Sequence, residues 1–178
     1  EVILIKGART FGFEQIVSRL QRKVHGTVME VDLSALIHNL NFFKSKLAPA
    51  TKLMVMVKAL AYGSGSVEIA NLLQYHKVDY LGVAYADEGV ELRKNNIKTP
   101  VMVMNPTEEG FAAMINFNLE PELYGFAILK SFISFLNGRT WNVHIKIDTG
   151  MHRLGFEVDE IAELIQLLKA NPNLKVAS

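Results

Sequence analysis

Two kinds of apolar segment alternate along this chain. Runs of about five residues rich in Val, Met and Ile are typical of β-strands, whereas longer segments with an apolar residue at every third or fourth position are typical of amphipathic helices. The predicted strands are 53–58, 80–85, 101–104, 119–123, 143–148 and 174–178. The predicted helices are 35–47, 66–76, 87–94, one that begins at Thr107, 126–136 and 159–170.

The alternation of strand and helix predicts a parallel sheet covered by helices, which places the chain in the α/β class. A (β/α)8 barrel typically takes about 250 residues, and this chain of 178 residues reaches only a sixth strand. We therefore expect a partial (β/α)8 barrel, truncated after strands one to about six, that belongs to a longer protein. Glu1 in place of an initial methionine agrees with that expectation.

Lys58 follows an apolar strand and precedes a glycine-containing segment, Gly63 to Gly65. A strand that is apolar on both faces is expected to be buried on both. Because burial disfavours a charged ammonium, we expect Lys58 to carry a neutral amine more readily than an exposed lysine does. A neutral amine can attack a carbonyl and form a Schiff base. The alternative is a lysine that caps a core strand and keeps its ammonium in water.

The segment 142–148 alternates polar and apolar residues, which is the period of a strand with one polar face. In a parallel barrel the apolar face packs on helices, so the polar face is expected to line the lumen. Lys58 and Lys146 would then both lie near the carboxyl ends of strands, where barrel enzymes carry their active sites. We expect His144 to be a hydrogen-bonded core histidine rather than a catalyst. The polar face comprises Asn142, His144, Lys146 and Asp148.

Three segments, which follow one another along the chain as they do in the family, resemble the alanine racemases that use pyridoxal phosphate. Segment 57–65 (Val-Lys-Ala-Leu-Ala-Tyr-Gly-Ser-Gly) resembles the motif with the cofactor lysine. Segment 146–155 (Lys-Ile-Asp-Thr-Gly-Met-His-Arg-Leu-Gly) is similar to the second motif of that family, and segment 29–40 resembles the start of the enzyme. The resemblance covers residues 27–178 and implies the N-terminal part of an alanine racemase barrel.

The resemblance implies roles for four residues. Lys58 would bind pyridoxal phosphate through a Schiff base and act as one of two proton-transfer bases. Tyr62 would hydrogen-bond the cofactor phosphate. Arg153 would contact the phenolic oxygen of the cofactor and the substrate carboxylate, a task that suits a guanidinium. Lys146 matches a position that is often carbamylated in the family, where the modified side chain holds the arginine by charge attraction.

The reaction implied by the resemblance is the conversion of L-alanine to D-alanine for peptidoglycan synthesis. In the family a tyrosine of the partner subunit acts as the second base, which implies a homodimer with shared active sites. That base and most of the phosphate site would lie outside the segments that match. We therefore expect this chain alone to be inactive as a racemase.

The first 26 residues do not follow the racemase pattern. A short predicted strand ends in Lys6-Gly7-Ala8-Arg9, and an amphipathic segment follows it. This segment resembles the C-terminal tail of the Mur ligase that adds D-alanyl-D-alanine to the cell-wall precursor. The predicted organisation is a ligase tail with linker over 1–26 and a racemase barrel over 27–178, as in a bifunctional fusion. The alternative is an unrelated leader.

Composition narrows the class of partner. The net charge of +1, from 19 basic and 18 acidic residues, gives no basic surface for nucleic acid. No apolar run approaches the roughly 20 residues of a membrane helix. The chain has no cysteine, which excludes a disulfide framework and a thiolate metal site. We expect a cytoplasmic protein that binds a small molecule and no metal.

Two other functions stay open at this point. A non-catalytic barrel protein that binds pyridoxal phosphate would also carry a cofactor lysine on its first strand, although we do not associate that class with the segment around Arg153. An aldolase without a cofactor would use Lys58 or Lys146 directly to form a Schiff base with its substrate.

Overall fold

The computed structural model describes residues 29–178. Residues 39–178 form one compact unit, which contains the sheet. The predicted strand and amphipathic segment of the first 26 residues, together with the predicted boundary at 26/27, lie outside the described residues.

Six strands form one sheet, and their spatial order is their order along the chain. Each strand pairs with the next in parallel, so the fold is the predicted α/β arrangement. The first and sixth strands are the two edges of this sheet, which is open within the described part of the chain. The strands are β1 (Met54–Met56), β2 (Tyr80–Val83), β3 (Val101–Val103), β4 (Glu120–Leu123), β5 (Trp141–Ile145) and β6 (Leu174–Val176).

One helix precedes the first strand, and a helix occupies each of the five connections between strands, as the periodicity predicted. Asp32 caps the helix before β1, because its Oδ1 accepts the backbone N–H groups of Ser34 at 2.8 Å and Ala35 at 3.1 Å. Short 3₁₀ turns, Glu108–Gly110 and Val158–Glu160, lead directly into the fourth and sixth helices. The helices are α1 (Leu33–Lys46), α2 (Ser66–Tyr75), α3 (Ala86–Lys94), α4 (Phe111–Asn116), α5 (Phe126–Leu136) and α6 (Ile161–Ala170).

The core lies between the helices and the apolar positions of the strands. Phe111 of α4 and Phe132 of α5 are almost fully buried, with ring centroids 5.0 Å apart in an edge-to-face arrangement. Burying one such ring contributes about 1.5–3 kcal/mol. The strand residues with no exposed surface are Leu81, Val83, Val101, Val103, Leu123 and Val143.

The prediction that the first strand is buried on both faces is wrong. β1 spans only Met54–Met56, Met54 is 40% exposed, and the other two residues are half-buried. The reason is its place in the sheet, because within residues 29–178 β1 pairs only with β2 and forms an edge. Lys58 therefore does not end a core strand. It begins a short helical turn, Lys58–Tyr62, which we call the lysine turn.

The lysine turn winds in the left-handed sense. Ala59, Leu60, Ala61 and Tyr62 have φ values of 52°, 54°, 50° and 57°. Each such residue other than glycine costs about 1–2 kcal/mol, since its Cβ approaches the following carbonyl oxygen. Gly63, with φ 93°, ends the turn. The carbonyl of Leu60 accepts the N–H groups of residues 63 and 65 at 3.0 and 2.9 Å.

We expect Ala59→Gly to leave stability unchanged or to raise it by up to about 1 kcal/mol, because glycine removes the Cβ that strains a left-handed residue. The matched control is Ala162→Gly. Ala162 is also exposed and lies within the right-handed run 158–170, where glycine costs about 1 kcal/mol. Denaturant unfolding of the intact protein at fixed concentration measures both changes. Equal losses in the two variants would contradict a left-handed turn.

Candidate functional site

Three of the four predicted site residues lie in two loops at one edge of the sheet, and the fourth, Lys146, directly follows β5. Because all six strands are parallel, the residues that follow them in sequence emerge at the same edge. The lysine turn, with Lys58 and Tyr62, follows β1, and the loop 148–155, with Arg153, follows β5. Lys58 is half-buried, whereas Tyr62 and Arg153 are exposed. No hydrogen bond or ion pair joins the two loops within residues 29–178.

Glu88 holds the backbone that follows Lys58, although the sequence analysis did not identify it. Its Oε1 accepts the N–H of Ala59 at 2.7 Å. Its Oε2 accepts the N–H groups of Ala84 at 2.6 Å and Tyr85 at 3.2 Å. One carboxylate thus ties the lysine turn to the loop between β2 and α3. The sequence signal was a glutamate in the first turn of a predicted helix, which is common for other reasons.

Lys146 forms an ion pair with Glu122 on the adjacent strand β4. Its Nζ lies 3.3 Å from Oε2 and 3.4 Å from Oε1 of that carboxylate. Their side chains are 24% and 12% exposed, so water screens this pair only in part. In the described part of the chain, Lys146 makes no hydrogen bond to Arg153. The contact with Arg153 that the resemblance implies for a carbamylated Lys146 stays a prediction.

The loop that carries Arg153 is built around Asp148. The carboxylate accepts the backbone N–H groups of Gly150 at 2.9 Å and His152 at 3.1 Å, and the His152 ring nitrogen lies 3.1 Å away. The two backbone N–H groups hold the pKa of Asp148 below its usual range. Gly155 has φ 132°, and a Cβ there would lie 2.5 Å from the backbone nitrogen of Asp148, so the loop closes only with glycine.

A polar network lies on the inner face of the sheet, around Glu120. One of its oxygens accepts a hydrogen bond from Tyr80 at 3.1 Å and lies 3.0 Å from Nε2 of His144, and the other accepts from Asn142 at 3.1 Å. Nδ1 of His144 lies 2.7 Å from the Ser178 hydroxyl. His144 is buried with both ring nitrogens partnered, which confirms the prediction of a hydrogen-bonded core histidine.

Burial and hydrogen bonding act in opposite directions on Glu120. Burial raises the pKa of its carboxyl, but the hydrogen bonds from His144, Asn142 and Tyr80 outweigh burial and leave the pKa lowered. Tyr80 responds in the other sense. Its burial and the adjacent carboxylate charge raise the pKa of Tyr80 from 10.0 to about 12. The network therefore holds an ionised glutamate and a neutral tyrosine at neutral pH.

A cavity of about 290 Å³ adjoins this network on the same inner face of the sheet. Tyr80, Glu122 and His144 line it together with the methionines Met54 and Met102. Across the described residues, no group of three His, Asp or Glu side chains is arranged to hold a metal ion. None of the helices in residues 29–178 has the length and apolar character that crossing a bilayer requires.

Alkaline titration tests the network. We expect one tyrosine of the intact protein to ionise near pH 12, since the pKa of Tyr80 is raised to about 12. Tyr80→Phe should remove that step, whereas Tyr75→Phe, at a residue 80% exposed, should leave it. Because the folded-state value lies above the unfolded one, the contribution of neutral Tyr80 to stability is full below about pH 10 and is lost between about pH 10 and 12.

The measurement is tyrosinate absorbance after rapid mixing, before the protein unfolds. Glu120→Gln should shift the step toward lower pH, because the neighbouring negative charge is gone. A step that stays near pH 12 in Tyr80→Phe would assign it to another tyrosine and contradict the network.

Comparison with known proteins supplies the family context. The family model described as "Alanine racemase, N-terminal domain" matches residues 31–178. The chain is 38% identical to an alanine racemase of Clostridium kluyveri over 153 residues, which are 84% of this chain and 39% of that protein. It is 36% identical to an alanine racemase of Synechocystis over 155 residues, covering 84% of this chain and 41% of that protein. The chain thus spans about two fifths of the length of these curated relatives.

Solved structures agree with the fold. An alanine racemase of Clostridium difficile 630 superposes with a TM-score of 0.75 at 34% identity, covering 84% of this chain and 42% of that one. The same enzyme in complex with cycloserine superposes with a TM-score of 0.78 at 35% identity, covering 87% and 44%. The open sheet of six parallel strands matches the N-terminal barrel part of those structures.

Proposed function

Because this chain belongs to the alanine racemase family, we propose that it supplies the cofactor-lysine part of an enzyme that interconverts L- and D-alanine. The observation that carries this proposal is the position of Lys58. It begins a strained turn at the carboxyl edge of a parallel sheet, where barrel enzymes place their reactive groups. Backbone strain of this kind clusters at functional sites.

The donor set at this edge fits pyridoxal phosphate. Lys58 offers an amine for the aldehyde, Tyr62 a phenol for the phosphate, and Arg153 a guanidinium for an oxyanion. The side chains of Tyr62 and Arg153 are both exposed, so a ligand can reach them. When bound, this cofactor withdraws electrons from the α-carbon of the amino acid and makes its proton acidic.

In the proposed reaction the residues of this chain bind the substrate and move its α-proton. Lys58 accepts or returns the α-proton on one face of the substrate. Arg153 orients the carboxylate of the substrate by a paired hydrogen bond. Asp148 holds the loop that carries Arg153, through the N–H bonds described above.

The second base would be a tyrosine of a partner subunit in a homodimer, and this chain would be one part of a longer, cytoplasmic protein. We further propose, from the sequence of residues 1–26 alone, that the racemase is fused to the ligase that consumes D-alanyl-D-alanine. D-alanine made by one half would then enter peptidoglycan precursors through the other.

The proposal is tested by chiral analysis of L-alanine incubated with the full-length protein and pyridoxal phosphate. We expect D-alanine to form, and Lys58→Ala to lower the rate by at least about 10³-fold, since it removes both the covalent anchor and one base. Lys98→Ala, at an exposed lysine ahead of β3, is the matched control and should keep the rate.

Borohydride trapping separates the alternatives. Pyridoxal phosphate trapped on Lys58 without any D-alanine would favour the non-catalytic cofactor-binding protein. Trapping of a carbonyl substrate on Lys58 or Lys146 in the absence of the cofactor would favour the aldolase. Full racemase activity in Lys58→Ala would exclude the proposed role of this lysine.

Carbamylation of Lys146 is a second test. A carbamate at Nζ would place a new anion within a few ångströms of the Glu122 carboxylate, which now pairs with the ammonium. We therefore expect Glu122→Gln to raise the fraction of carbamylated Lys146, because it removes that repulsion. The measurement is the carbonyl signal from ¹³C-bicarbonate, assigned by its loss in Lys146→Ala. Glu91→Gln, at an exposed glutamate, is the control. An equal signal with and without Glu122 would contradict the expectation that its carboxylate opposes carbamylation of Lys146.

A further inference from the structure

We propose that Glu88 is a positioning residue that fixes Lys58 for the reaction, an inference that rests on the proposed function. Glu88 does not touch the predicted reacting atoms. It acts through the backbone, where its carboxylate accepts the N–H of Ala59, the residue directly after Lys58, at 2.7 Å.

The sheet alone does not hold this backbone. The last ladder bond from β1 to its neighbour runs from the N–H of Val57 to the carbonyl of Gly82, at 2.8 Å. One residue after Lys58 the chain enters the left-handed region. The bond from Ala59 to Glu88 is the next tie between these two parts of the chain. Lys58 therefore lies between two fixed points, the end of the ladder and the Glu88 carboxylate.

The second carboxylate oxygen of Glu88, Oε2, holds the carboxylate itself in place. Oε2 accepts the N–H groups of Ala84 and Tyr85, which follow β2, and Glu88 lies in the first turn of α3. A carboxylate at a helix N-terminus is favoured by the helix dipole, and hydrogen bonds to a charged acceptor are stronger than neutral ones. The carboxylate is thus a rigid bridge from the well-buried strand β2 to the lysine turn.

A simpler role for Glu88 would be to cap α3. Capping accounts for the bonds from Ala84 and Tyr85, but the bond from Ala59 comes from another loop, 29 residues earlier in the chain. Only a positioning role predicts that changes at Glu88 reach the lysine turn. This difference defines the experiment.

The test variant is Glu88→Gln in the full-length protein. The two oxygens of Glu88 face different loops, Oε1 toward Ala59 and Oε2 toward Ala84 and Tyr85. A glutamine keeps the size of the side chain but replaces one of these oxygens with an NH2 group, so one loop loses its acceptor. Glu91→Gln is the matched control, because Glu91 is an exposed glutamate three residues along the same helix.

Two readouts are compared. The first is amide hydrogen exchange of peptides over the lysine turn and over residues 84–88, measured without substrate. The second is kcat and KM for L-alanine in the cofactor-loaded enzyme. We expect Glu88→Gln to speed exchange in the lysine turn at least about tenfold and to lower kcat by about 10–100-fold with little change in KM, because a small displacement of a reacting group costs about this much. Glu91→Gln should match the unsubstituted protein.

The inference is overturned if Glu88→Gln speeds exchange only over residues 84–88 and leaves the lysine turn and kcat unchanged, since that is the result of capping alone. It is also overturned if the lysine turn is released but kcat is retained. A full-length protein that makes no D-alanine before any substitution refutes the proposed function. The positioning proposal then loses its reaction, while the exchange data still decide whether Glu88 holds the turn.

Discussion

Parallel pairing of six strands in chain order is the constraint on which the rest of this structure depends. It sends every connection after a strand to the same edge of the sheet, so a turn near residue 60 and a loop near residue 150 can serve one site. It also gives each strand one face toward the helices and one toward the interior of the barrel. Apolar residues fill the first face, and the second carries acids, a histidine, a tyrosine and a lysine.

The polar interior is stable because its charges are paired. Burying an ionised carboxylate without partners is costly. Glu120 has three hydrogen-bond partners, and Glu122 faces Lys146 at 3.3 Å. In the described residues no buried side-chain nitrogen or oxygen lacks a partner. Such an interior is more specific in its geometry than an apolar one, because each group has a defined neighbour.

The sequence predicted the architecture and the polar residues of segment 142–148, but it did not predict those of β4. Alternation over residues 142–148 placed His144 and Lys146 inside, and the structure shows both with acidic partners on β4. The same reasoning was available for Glu120 and Glu122, which also share a face by period two. Their neighbours in sequence, a proline and two leucines, concealed that pattern because the segment reads as an apolar strand.

The lysine turn could not be predicted from local preference, for a physical reason. Alanine and leucine favour the right-handed helix, yet Ala59, Leu60 and Ala61 adopt its mirror image. A conformation that the local sequence opposes must be imposed by tertiary contacts, and the Glu88 carboxylate contacts Ala59, the first left-handed residue of the turn. Local rules and structure therefore disagree at the residue beside the predicted reactive amine. Such disagreement is expected where a site needs one fixed backbone position more than it needs the lowest local energy.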